Sequence, residues 1–184
     1  MTTRRAAFAL LLAGCAQSAV VKVPLTNFVT DFSPLEVGDT WAYEMVDPAT
    51  GEKTLAIAKV TTREGTIAVV DTGASRQLYD ISPDTLTRKS SGTIALKTPL
   101  ESGATWSLPD GGQAKILEVK AKVEVPAALY DDCIVVEESH PDSRTVTTFA
   151  RGVGQIRIEV FEKNGQLVAR GVLRGYHKAG TPSL

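Results

Sequence analysis

The sequence predicts an all-β domain: a single curled antiparallel sheet, half-barrel or barrel-like, in meander order, with little or no helix beyond an N-terminal signal. Three observations lead there. Turn-forming clusters recur densely after residue 41, with runs of strand length between them. Several of those runs alternate strictly between apolar and polar residues, and no window of a dozen residues carries a helical stripe. An eight-residue phrase containing one tryptophan also occurs twice, "PLEVGDTW" at 34–41 and "PLESGATW" at 99–106, identical at six positions and sixty-five residues apart.

The chain opens with "MTTRRAAFALLLAGCAQS", in which Arg4 and Arg5 precede an apolar run from Ala6 to Ala13 and then small residues, the layout of an export signal. The run is too short to span a bilayer. Leu12-Ala13-Gly14-Cys15 resembles a bacterial lipobox, which implies cleavage before Cys15 and its acylation. Several acyl chains, each methylene contributing about 0.8 kcal/mol, make a durable anchor. The expected organisation is a signal peptide at 1–14, a lipidated N-terminus and tether at 15–32, and one β domain at 33–184. The tether "AQSAVVKVPLTNFVTDF" shows neither period, although its Val and Phe residues also suit an edge strand. By resemblance to other lipoproteins, Ala16 after the cysteine implies sorting to an outer membrane, with the domain facing the periplasm or the surface. Export through the general secretory route is expected, since Phe8 lies one place beyond the twin-arginine pattern.

In the first copy of the phrase, proline stiffens the approach, glycine permits a tight bend and tryptophan starts a strand. Trp41, Tyr43 and Met45 then share a face, and in the second copy Trp106 and Leu108 do. The expectation is that Trp41, Tyr43 and Trp106 are core anchors or the lining of a ligand cleft. A filled concave face is preferred, because large apolar residues are few and glycines and alanines are common. Between the copies, turns fall at Asp47-Pro48 to Gly51, Glu64-Gly65, Gly73, Ser82-Pro83-Asp84 and Ser91-Gly92.

After Pro109-Asp110-Gly111-Gly112 comes "LEVKAKVEV", where Leu117, Val119, Ala121, Val123 and Val125 are expected inward and Glu118, Lys120, Lys122 and Glu124 outward. "PAALYDD" at 126–132 offers at most one helical turn. "QIRIEVF" points Ile156, Ile158 and Val160 inward. Asn164-Gly165 then supplies a two-residue hairpin turn into "QLVARGVLRGY". Nine or ten strands are expected in all.

The signal holds two of the 20 basic residues and none of the 21 acidic ones, leaving 18 against 21 and a net charge of −3 beyond Gly14. Basic and acidic residues are interleaved instead of gathered into a stripe, so no nucleic-acid partner is expected. If Cys15 is acylated, Cys133 is the one remaining thiol and no internal disulfide is available; it reads as a small core residue.

The stretches "FSPLEVGDTWAYE", "YDISPDTLTR", "PLESGATW", "VEVPAALYDDCIVVEE" and "ARGVGQIRIE" resemble, in that order, a loose group of bacterial lipoproteins and secreted proteins with no assigned activity. The resemblance spans Phe32 to Val160. The group has glycine where this chain has Ala128, so the turn there is expected to differ. Its pattern places prolines, glycines and aromatics at element boundaries and implies no catalytic residue. In broad architecture the chain also resembles the half-barrel lipoproteins of the outer-membrane lipoprotein sorting pathway.

Chemical motifs are weak. "IAVVDTGAS" at 67–75 resembles the active-site strand of retropepsin-like aspartic proteases, in which a dimer brings two aspartates together, here Asp71 from each copy. The apolar-apolar-glycine segment that packs behind that loop is missing, and Asp-Thr-Gly is good turn chemistry. His140 and His177, 37 residues apart, with Glu137, Glu138 and Asp142, lack metal-ligand spacing, and Asp131 and Asp132 read as a solvated turn. "GVGQIR" lacks the third glycine of a dinucleotide fingerprint, and Ser139, His140 and Asp142 make no triad by adjacency alone. The expectation is a non-enzymatic envelope lipoprotein without cofactor or metal. It is anchored to membrane through Cys15 and supports structure or binds an envelope partner; the alternatives are a carrier or sensor of a lipid or other amphipathic ligand and, least, the Asp71 protease dimer.

Overall fold

A computed structural model describes residues 27–181. Cys15 and the signal lie outside the described residues. Twelve strands follow a single helical turn: α1 (Val29–Phe32), β1 (Thr40–Val46), β2 (Lys53–Glu64), β3 (Ile67–Asp71), β4 (Arg76–Ile81), β5 (Thr85–Arg88), β6 (Thr93–Lys97), β7 (Thr105–Ser107), β8 (Gln113–Val125), β9 (Ala128–Ser139), β10 (Ser143–Ala150), β11 (Gly154–Glu162) and β12 (Leu167–His177). All pairings are antiparallel, and the sheet runs β6-β5-β4-β3-β2-β1-β12-β11-β10-β9-β8-β7. The expected single curled sheet is therefore present, with two or three more strands than the nine or ten anticipated. The shortest, β5 and β7, hold four and three residues, too few for a periodic pattern to reveal.

The sheet consists of two six-strand meanders joined through β1 and β12, and each begins with one copy of the repeated phrase. Gly38 N–H donates to Val60 O (2.9 Å) and Gly103 N–H to Ile116 O (2.8 Å); Val60 N–H donates to Asp39 O and Ile116 N–H to Ala104 O, both at 2.9 Å. Both glycines hold left-handed backbone, φ +100° and +91°, where a side chain is strained. The phrase recurs because it makes one tight corner twice, turning the chain into the first strand of each meander and setting a buried tryptophan at its start.

Val29 and Phe32, assigned to the tether by sequence, are buried in the core. Asp31 Oδ2 accepts the Phe28 amide at 3.2 Å, which closes the turn of α1. Arg151 locks it down: its guanidinium pairs with Asp31 (2.9 Å) and Asp132 (2.5 Å) and lies 4.5 Å over the Phe32 ring.

The hairpin read at Asn164-Gly165 is present, but its loop holds three residues, 163–165, instead of two: Glu162 N–H donates to Gln166 O and Gly165 N–H to Glu162 O, both at 2.9 Å, and of the pair only Gly165, at φ +85°, takes the left-handed conformation. "PAALYDD" forms no helical turn. The chain reverses at Pro126-Ala127 and continues as β9. Leu117 is not inward but 41% exposed, because β8 carries extra residues opposite β9 between Ile116 and Glu118 and again between Val119 and Ala121. The burial alternation changes phase once, at Leu117, so Ala114 and Ile116 are buried on one side of that slip and Ala121, Val123 and Val125 on the other.

Candidate functional site

The concave face is filled in one part and hollow in another. Trp106 is buried at the junction of the sheet's two edges, where its indole N–H donates across to Ile94 O (2.8 Å). Trp41 and Tyr43 instead wall a cavity of about 360 Å³. The preference for a filled face fails here for a specific reason. The inward positions of β2 opposite Trp41 and Tyr43 are Ala58 and Ala56, and Gly154 faces the Trp41 ring. Few large side chains and many small ones leave volume unfilled between rigid walls.

Those walls are held by hydrogen bonds as well as by packing. Trp41 Nε1–H donates to Val153 O (2.8 Å), and its ring stacks on Tyr176 with centroids 5.5 Å apart. The Tyr43 hydroxyl donates to Gln155 O (2.7 Å), and burial pushes its phenol far above the usual range, so it stays neutral. Tyr79 is likewise pushed up by burial, against the pull of Arg88. Gly154 holds φ +97° and so cannot carry a side chain into this space without strain.

The cavity's remaining lining includes Leu35, Met45, Val70, Leu86, Phe149 and Ile158, with Thr72 and Gln77 supplying polar atoms. A cavity of about 150 Å³ lined by apolar groups stays dry and accepts benzene, so this one matches on the order of 14 carbon atoms. The lining carries no charged side chain. It suits an apolar group whose polar end remains outside.

Asp71 sits at the end of β3 in a hairpin turn. It accepts the Gly73 amide (2.7 Å) and pairs with Arg76 (3.2 Å), and these hold its carboxyl below the usual range. Its carboxylate thus makes the turn contacts that Asp-Thr-Gly favours. Glu137 pairs with Arg144 (2.9 Å), and buried Glu138 pairs with Arg88. His140 Nδ1 lies 2.5 Å from Asp110 Oδ2 and, against an ionised acceptor, must donate. That bond, with the Gly112 amide, lowers the Asp110 pKa. Asp132 serves Arg151, and Cys133 is buried, its thiol pushed up to about 11 by burial and so unreactive. Among the described residues, no three His, Cys, Asp or Glu side chains are grouped to hold a metal ion.

The structure thus brings Trp41 and Tyr43 together and sends Trp106 elsewhere. Sequence reasoning missed Ala56, Ala58, Phe149 and Gln155. The available signal was "TLAIAK" at 54–59, whose small residues occupy one phase of the strand. Because the other phase holds Leu55 and Ile57, the pattern points to the wrong face.

No protein-family model and no curated protein matches the chain. Solved structures that share its fold include the following two. One is a candidate exported protein with a YmcC-like fold from Bacteroides fragilis, 11% identical, at a TM-score of 0.52 over 78% of this chain and 97% of the other. The second is a candidate lipoprotein from Parabacteroides distasonis, 13% identical, at a TM-score of 0.50 over 79% of this chain and 98% of the other.

Proposed function

We propose that this chain is a membrane-anchored lipoprotein of the bacterial cell envelope whose β domain works by binding, without catalysis. It takes an apolar group of a ligand or partner into the cavity beside Trp41 and Tyr43. The observation that carries this reading is the cavity itself: about 360 Å³, uncharged, and walled by two aromatic side chains that hydrogen bonds hold in place. Rigid walls around unfilled volume give up no packing when a guest arrives, which favours binding. The lipobox ending at Cys15 supports the anchor, and the two proteins of like fold, one a candidate exported protein and one a candidate lipoprotein, support the envelope location. Asp71 is engaged in its turn, which weighs against the protease alternative.

Native mass spectrometry of the exported full chain, purified gently, tests the reading. A co-purifying mass beyond the protein's own acyl groups is expected, and Ala58→Leu should remove it while leaving the thermal midpoint unchanged or raised, since the added carbons enter existing space. A bound mass that survives Ala58→Leu, or no bound mass, would count against the cavity as the site.

A further inference from the structure

β2 is longer than the strand beside it. Its twelve residues pair with β1 from Lys53 to Lys59, but β3 covers only Lys59 to Glu64. On the β3 side, residues 53–58 have no backbone partner among the described residues. The direction of their polar groups follows from the repeated corner: the Val60 amide donates to Asp39 O and its carbonyl accepts from Gly38, so Val60 faces β1. Backbone groups alternate sides along a strand. Thr54, Ala56 and Ala58 therefore also face β1, and Lys53, Leu55 and Ile57 aim their N–H and C=O into the open gap.

The side chains along this overhang divide just as clearly. Ala56 and Ala58 point inward onto the cavity. Leu55 and Ile57 point outward, 68% and 44% exposed, and Ile57 also belongs to the cavity's lining, so the cavity borders the gap that β3 leaves. At the two ends of the overhang stand Lys53 and Lys59. Asp71 of β3 is the register partner of Lys59, whereas Lys53 pairs with Glu44 on β1, at 3.2 Å.

Resting on the reading of this cavity as a binding site, we propose that its occupant is an extended polypeptide segment of an envelope partner that adds as a strand to β2, antiparallel, in the position that β3 vacates. Main-chain bonds to Ile57 and Leu55 supply the register, and alternate side chains supply the selectivity. Residues opposite Ala58, Ala56 and Thr54 are large and apolar and enter the cavity. The residue opposite Lys53 is acidic, as Asp71 is opposite Lys59. The added strand covers Leu55 and Ile57 and satisfies a bare edge that otherwise invites unspecific pairing.

The probe is the peptide acetyl-Leu-Thr-Leu-Thr-Leu-Glu-amide, read against the full chain by tryptophan fluorescence and calorimetry, beside decanoate as an acyl-chain probe. In this register the two threonine amides meet Ile57 and Leu55. N-methylation of those two amides, or Leu55→Pro in the protein, should weaken peptide binding by about tenfold or more, whereas N-methylation of the second and third leucine amides, or Leu55→Ala, should change it by less than about threefold. Proline at 55 leaves the bonds to β1 in place, because neighbouring positions carry them. Decanoate binding should not respond to Leu55→Pro, because Leu55 is not part of the cavity's lining. Peptide binding indifferent to threonine N-methylation, or binding of decanoate alone, would overturn strand addition and leave the cavity reading standing. Binding of neither probe would remove both.

Discussion

Asp39 shows how much one position of the repeated phrase can carry. Its carboxylate is buried and accepts two backbone amides, Glu36 N–H at 3.0 Å and Ala179 N–H at 2.8 Å, the latter 140 residues away. The corresponding position in the second copy is Ala104, whose methyl can accept no such bond. Asp39→Ala leaves both donors without their acceptor and should cost about 1–3 kcal/mol, seen as a lower denaturant midpoint. Ala104→Asp should give no matching gain. The sequence shows that the two phrases differ here but not why, because the Ala179 partner is brought near only by the pairing of β12 with β1. Trp41 and Trp106 were legible as inward anchors in the same way, yet which of them borders empty space depended on neighbours across the fold.

Among the elements, β8 tests how far alternation can be trusted. Its strict period from 117 to 125 was real, and Ala121, Val123 and Val125 are buried as read, but Leu117 belongs to the bulge and faces out. Leu117→Thr should therefore change stability by less than about 0.5 kcal/mol, as an exposed position does. Ile116→Ala, one residue earlier and fully buried, should cost about 2–5 kcal/mol. Equal costs at both positions, measured by urea unfolding, would mean that the bulge is absent and the sequence phase correct. Strands and hairpins were thus readable wherever turn chemistry and period agreed, as at Asn164-Gly165. Bulges were not, because the extra residue is chosen by the partner strand. The same limit hid the cavity: the length difference between β2 and β3 appears only once both are paired.

At the scale of the molecule, the sheet returns on itself without closing its ladder. β6 and β7 are consecutive in the chain and end up as its two edges, and side chains join them instead of backbone. Trp106 reaches Ile94 O, and Arg88 of β5 pairs with Glu138 of β9, which is 1% exposed. Sequence reading weighed Glu138 only as a metal ligand beside His140, because its partner Arg88 lies fifty residues away. Removing one member of such a pair strands a buried charge, and Arg88→Met should cost about 3 kcal/mol, the lower end of the range because Arg88 is partly exposed and His140 Nε2 stands 3.8 Å from Glu138. Adding Glu138→Leu should recover most of that loss, since an apolar pair needs no charge compensation. The cycle also reaches the cavity, because Arg88 is the register partner of Tyr79, part of the cavity wall. If the pair acts by closing the seam, probe binding should fall with stability in Arg88→Met and return with it in the double variant. Binding that stays low in the restored double variant would mean that Arg88 positions Tyr79 directly, so that seam and site are coupled through one side chain and not through the shape of the sheet.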